Sequence, residues 1–220
     1  MDSVRRNVIA RTEDFVREEL GAEPTGHDWW HADRVRRTAL YIANKEHADA
    51  FIVELAALLH DVCDYKFTGD REAGPQAATE WLCAQYVEQS VALEVAEIIR
   101  RMSFRGANVD ELPQSIEGRC VQDGDRLDAM GAIGIARTFA YGGFVRRPIH
   151  DPSVREIMHK SAAEYQDHRG TTINHFHEKL LLLESRMQTD TGRKIAEERH
   201  KFMIDFIRTF QVEWEFESVR

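Results

Sequence analysis

Apolar positions along this chain recur with the period of a helix almost from end to end, and no alternation of apolar and polar residues runs far enough to suggest a strand. Helical patterning covers residues 2–20, 27–46, 49–62, 71–86, 90–102, 113–122, 125–140, 152–166, 171–188 and 191–213. The breaks carry turn chemistry: Gly21, Pro24-Thr25-Gly26, Gly69-Asp70, Gly106-Ala107-Asn108, Tyr141-Gly142-Gly143 and the stretch from Pro148 to Pro152. The pattern predicts an all-α bundle of about nine or ten helices. Residues 1–220 read as a single domain, because no repeat, low-complexity tract or Gly/Ser linker divides them. The segment 141–170 mixes glycines with Arg146-Arg147-Pro148 and Asp151-Pro152 and reads as a long excursion from the bundle, able to cover a pocket. The closing stretch from Ile195 to Trp214, with Phe202, Ile204, Phe206, Ile207 and Phe210 among charges, reads as a helix packed on the bundle.

Four metal-binding residue types fall on these helices. His31 is followed by Val35, Thr38, Ala39 and Ile42 at i+4, i+7, i+8 and i+11, which puts its imidazole on the inward stripe. A core histidine satisfied by one hydrogen bond would meet the same pattern. His60-Asp61 ends a strongly apolar helix, with Ile52, Val53 and Ala56 behind His60. A carboxylate emerging from such a core needs a cation or several donors, since burying it unpaired costs several kcal/mol, of order. A helix-terminal His and Asp in a polar turn is the plainer alternative. Asp125 is read as opening the helix over 125–140, above a stripe of Ala129, Ala132 and Ala136. As the first residue of a helix it would serve equally as an N-cap, and Asp123 competes with it. A second His-Asp pair stands at His27-Asp28, one turn before His31, where His27 could be a second metal ligand, a phosphate contact or simply a residue near the helix start.

Composition narrows the partners. With 43% hydrophobic residues in 220, the chain can bury a core of its own. A formal net charge of −9 argues against a nucleic-acid polymer or an anionic membrane as partner, so a polyanionic substrate would need a local basic pocket. No apolar run approaches the roughly 20 residues that cross a bilayer, and the N-terminal residues lack a signal-peptide core, which predicts a cytoplasmic protein. Cys63, Cys83 and Cys120 form no Cys-x-x-Cys pair and read as small buried hydrophobes in a reducing compartment.

Taken with their neighbours, the four residues form the blocks His31-Ala32-Asp33-Arg34-Val35, Ala57-Leu58-Leu59-His60-Asp61 and Asp123-Gly124-Asp125-Arg126-Leu127-Asp128-Ala129. In this order they resemble the motifs of the HD-domain phosphohydrolase superfamily. The words Ala136-Arg137-Thr138-Phe139-Ala140-Tyr141-Gly142-Gly143 and His175-Phe176-His177-Glu178-Lys179-Leu180 are similar to those of one bacterial subfamily of small stand-alone HD hydrolases. The core resemblance covers about residues 20–140, and the subfamily resemblance nearly the whole chain.

The resemblance implies a metal-binding helical core over about 20–140 and a C-terminal helical elaboration over about 141–220. It implies that His31, His60, Asp61 and Asp125 hold one divalent ion, since two-metal HD proteins draw further histidines from an interval that has none here, between Asp61 and Asp125. Two imidazoles and two carboxylates suit Mn²⁺ first, with Mg²⁺, Fe²⁺, Co²⁺, Ni²⁺ and Zn²⁺ also admitted. The expected reaction is hydrolysis of a phosphate ester or pyrophosphate bond in a small phosphorylated molecule, a nucleotide foremost, by water activated at the ion. Asp64, at the position of a Glu in some HD nucleotidases but one methylene shorter, is the expected proton acceptor, and Lys66 is close enough in sequence to neutralise a phosphate. Expected substrate contacts are His27, Arg34 and Arg126, with Arg100, Arg101 and Arg105 as further basic groups. The alternative is a non-catalytic HD-type module that binds metal or nucleotide for regulation.

Overall fold

The computed structural model describes residues 3–21, 26, 28–63, 69–102, 114–158 and 170–216. Among these there are helices and no strand: α1 Ser3–Leu20, α2 Trp29–Glu46, α3 Ala50–Leu59, α4 Ala73–Ala84, α5 Gln89–Arg101, α6 Ile116–Asp128, α7 Gly131–Phe144, α8 Thr172–Glu178 and α9 Asp190–Trp214. Two 3₁₀ turns, Leu180–Leu182 and Glu184–Arg186, follow α8. The expected all-α architecture and helix number hold.

The chain divides into two compact units, and the division falls inside α6, between Asp125 and Arg126. In the first unit α3 is the central element. Phe51 to Leu59 are all buried, as expected of a helix that is apolar all round, and α3 packs against α1, α2 and α5 while α4 and α5 pair as a hairpin. One polar knot ties the first three helices. Arg36 on α2 reaches Glu13 on α1 at 2.5 Å, Glu54 on α3 at 3.2 Å and Asp33 on its own helix at 2.9 Å. Burial pushes the Glu54 carboxyl above its ordinary range, against the pull of the Arg36 guanidinium.

In the second unit α7 packs with α8 and α9. Phe139, Phe176 and Phe206 meet ring to ring at 5.8–6.0 Å, and the series continues through Phe210 and Trp214 to His150. The excursion after α7 is sewn to α8: the backbone N–H groups of Thr172 and Ile173 donate to the carbonyls of Pro148 and Ile149, and the Asn174 amide donates to the Val154 carbonyl at 2.9 Å.

Four element readings are corrected, the first being the break expected at Tyr141-Gly142-Gly143, which lies within α7. The break expected near residues 123–124 is absent: α6 runs through Gly124 to Asp128. Gly124 is there for close approach, since a Cβ on it would lie 3.1 Å from both the Ala39 Cβ and the Val35 carbonyl oxygen of α2. The chain turns instead at Gly131, whose φ of +67° favours glycine. Ala132 and Ala136, expected on an inward stripe beneath Asp125, are exposed. No helix occupies 152–158, where Asp151 accepts from the Ser153 backbone N–H and hydroxyl in a local turn; the remainder of the expected 152–166 helix lies outside the described residues. The single helix expected over 171–188 is α8 followed by the two 3₁₀ turns. Cysteine burial is also corrected, because only Cys120 is buried while Cys63 and Cys83 are exposed.

Candidate metal centre

His31 is the third residue of α2, and its position begins with a cap. Asp28 precedes the helix in extended conformation and accepts from the His31 backbone N–H at 2.9 Å. This gives the second His-Asp pair its explanation: Asp28 anchors the backbone of the histidine three residues on, and His27 lies outside the described residues. The His31 side chain is 1% exposed, on the stripe with Val35, Ala39 and Ile42.

His60 stands at the C-terminus of α3, where the helical run of apolar residues ends. Its Nδ1 lies 2.8 Å from the Ala57 carbonyl oxygen. A carbonyl only accepts, so Nδ1 donates to it, and this bond fixes the ring with Nε2 on the side of His31. Residues 60–63 form a turn, with Cys63 in the left-handed region at φ 56°, and Asp61 within it is buried at 8% exposure. Asp125 comes from α6, brought close to α2 at Gly124, and is the most accessible of the four, with its side chain 35% exposed.

These four side chains converge. The Nε2 atoms of His31 and His60 are 3.2 Å apart. Asp61 places one carboxylate oxygen 3.2 Å from His31 Nε2 and the other 3.5 Å from His60 Nε2. Asp125 Oδ1 lies 3.5 Å from His31 Nε2 and 3.9 Å from His60 Nε2. The two Nε2 atoms and the carboxylate oxygens thus face one another across a few ångströms, all from the first unit. A divalent cation among them would take a lone pair from each ring and neutralise carboxylate charge. His31, His60 and Asp125 form a donor set that fits the ion, with Asp61 beside both rings, and its mixture of imidazole and carboxylate admits several metals.

The other expected site residues stand as follows. Arg34 is half-buried on α2. Arg126, the residue after Asp125, is 6% exposed and donates to the Arg186 carbonyl within the second unit. Arg100 pairs with Glu72 and Glu97 and Arg101 with Glu97, an exposed network in which each guanidinium already meets a carboxylate. Asp64, Lys66 and Arg105 lie outside the described residues. Two contributors were not anticipated in sequence, the Ala57 carbonyl and the Asp28 cap. The first follows from ordinary i−3 geometry at a helix end, and the second from an Asp just before a helix start.

A buried helical His, His-Asp, Asp cluster is the mark of the HD fold, and the chain matches the HD domain family over residues 29–130. It belongs to this family, as a member of the HD superfamily of hydrolases. Among its relatives is YpgQ of Bacillus subtilis (strain 168), 42% identical over 198 residues, which span 90% of this chain and 89% of YpgQ. The crystal structure of YpgQ in complex with ADP superposes with a TM-score of 0.76 at 36% identity, covering 96% of each chain. An HD-superfamily hydrolase from Bacillus thuringiensis superposes with a TM-score of 0.74 at 40% identity, covering 96% of this chain and 98% of that one. No helix among the described residues is long and apolar enough to cross a membrane.

Proposed function

We propose that the protein is a metal-dependent phosphohydrolase that cleaves a phosphate ester or pyrophosphate bond of a nucleotide. The observation that carries this is the meeting of the His31 and His60 Nε2 atoms, 3.2 Å apart, with the Asp61 and Asp125 carboxylates, each of which lies within 3.9 Å of both nitrogens. The ADP bound by YpgQ supports a nucleotide as the substrate class. His31, His60, Asp61 and Asp125 hold one divalent ion, Mn²⁺ by preference. Such an ion supplies Lewis-acid chemistry, acidifying water and polarising a phosphoryl oxygen.

The remaining work belongs to the chain. The Ala57 carbonyl accepts from His60 Nδ1 and so orients the ring with Nε2 towards the other donors. The exposed side of Asp125 marks the direction from which a phosphate enters. Asp64 is assigned to accept the proton of the attacking water. Lys66, His27, Arg34 and Arg126 are assigned to the negative oxygens of the substrate, as charge-assisted donors. The substrate arrives from solution as a small anion, and the net charge of −9 makes these few local cations the selective feature.

The test is turnover. Purified protein with Mn²⁺ releases phosphate or pyrophosphate from a panel of nucleoside mono-, di- and triphosphates, and His60→Ala or Asp61→Ala lowers kcat by about 1,000-fold or more, the scale of losing an electrostatic stabiliser of the transition state. No turnover across the panel, or turnover unchanged in both variants, rejects the reading; nucleotide binding without product replaces it with the regulatory module.

A further inference from the structure

Gly74, the second residue of α4, is buried within the first unit. Its φ is not left-handed and glycine is a poor residue inside a helix, so nothing in α4 itself calls for it. The reason lies across a contact. A Cβ at this position would stand 3.1 Å from the Val62 carbonyl oxygen and 3.7 Å from that of Cys63, in the turn over residues 60–63 that carries His60 and Asp61. The nearer atom is backbone, which cannot swing aside as the end of a side chain does. The helix is held at both ends. At its start Glu72 accepts from Arg100 of α5 at 2.9–3.1 Å. Near its end the Trp81 indole donates to the Thr12 hydroxyl of α1 at 3.0 Å and stacks on Phe15. The turn has the less secure hold, since Cys63 already stands in the left-handed region at φ 56°, a strained setting for a residue with a side chain.

From this geometry we infer that Gly74 is a positioning residue of the metal centre: having no side chain, it lets α4 seat against the Val62 carbonyl and so sets where the turn presents Asp61. The inference rests on Asp61 as a ligand of the ion and adds what holds that ligand in place, from a helix that supplies none of the four. Asp61 is the neighbour of Val62, and Val62 is itself 1% exposed. A push on the Val62 carbonyl therefore meets packed atoms and passes to the backbone of the carboxylate, because a close-packed interior transmits strain. The magnitudes decide the outcome. A methyl group on Gly74 asks its neighbour to give by a few tenths of an ångström, whereas a metal site keeps its ligand distances to about 0.2 Å.

The experiment measures Mn²⁺ binding by calorimetry, beside thermal melting, for the full chain and for Gly74→Ala, Glu80→Gly, Cys63→Val, Cys63→Gly and Asp61→Ala. Gly74→Ala weakens Mn²⁺ by about tenfold, the scale of losing a group that orients a ligand. Glu80 is exposed on the same helix, so Glu80→Gly lowers the melting temperature by roughly 2–4 °C and leaves Mn²⁺ affinity within about twofold. Cys63→Val forces a β-branched residue into the left-handed region and disturbs the same turn from its other end, with a loss of similar size, about tenfold. Cys63→Gly removes the same thiol but fits the backbone, and keeps the affinity. Unaltered Mn²⁺ affinity in folded Gly74→Ala overturns the inference, as does an equal loss in Glu80→Gly. If Gly74→Ala does not fold, unaltered affinity in Cys63→Val overturns it. Asp61→Ala that binds Mn²⁺ as the unaltered chain does removes Asp61 from the ligands, and the reading built on it falls as well.

Discussion

At the scale of single residues, the three cysteines show how environment separates identical side chains. Cys120 on α6 is fully buried, and its thiol is pushed up to about 12 by burial first and by the negative charge of Asp123 second. Below pH 9.0, the ordinary value, the thiol is neutral whether the chain is folded or not, and contributes no pH dependence. Above it the unfolded chain releases the proton and the folded chain does not, so fewer protons are bound in the unfolded state and stability falls as pH rises towards 12. Chemical denaturation between pH 8 and pH 10.5 will show this fall, and Cys120→Ala will flatten it; an identical slope in the variant would assign the effect to other groups. In the native protein at pH 8, a thiol reagent will modify Cys63 and Cys83, the exposed pair, and reach Cys120 only after denaturant is added. Modification of a single thiol, or of all three, would contradict the burial pattern.

At the scale of elements, the sequence pattern was read correctly wherever one face of a helix is buried and misread where a residue serves a neighbour. The stripe of Val35, Ala39 and Ile42 announced the inward side of α2 and with it His31, and the apolar run of α3 announced the emergence of His60-Asp61. Gly124 misled because a glycine inside a helix has two meanings, a break or a close approach, and only the presence of α2 at 3.1 Å distinguishes them. Asp125 was placed at the opening of the following helix, above Ala129, Ala132 and Ala136, whereas it lies in the last turn of α6. Residues 171–188 kept their apolar residues but not one continuous helix, since periodicity does not separate an α-helix from short 3₁₀ turns. The caps make a sharper test of how elements serve the site. Asp28 and Asp49 are N-caps of α2 and α3, each accepting a backbone N–H at 2.8–2.9 Å. Asp28 holds the His31 N–H itself, whereas Asp49 holds Phe51, at the far end of α3 from His60. Removing either by substitution with Ala will cost about 1 kcal/mol of stability. Only Asp28→Ala will weaken Mn²⁺ binding, by about fivefold, because it frees the backbone that aims a ligand. Equal Mn²⁺ affinities in the two variants would show that the cap serves the helix alone.

At the scale of the whole molecule, the metal centre sets function against stability, and the direction of that conflict can be measured. Without a cation, Asp61 at 8% exposure brings a carboxylate to within 3.5 Å of both imidazoles in a largely apolar setting, with Asp125 completing the cluster. Burying a carboxylate such as Asp61 costs free energy that a solvent-exposed one does not incur. A bound ion reverses the sign, and anything that binds only the folded state stabilises it by mass action, by about 2.7 kcal/mol at a concentration 100 times the dissociation constant. For a chain of this length each kcal/mol moves the melting temperature by roughly 2–4 °C, so saturating Mn²⁺ will raise it by roughly 5–10 °C and EDTA will return it. Asp61→Asn keeps the shape of the side chain and removes its charge. That variant will lose most of the Mn²⁺ shift together with turnover. A variant that keeps the full Mn²⁺ shift would mean that Asp61 is not among the groups that hold the ion.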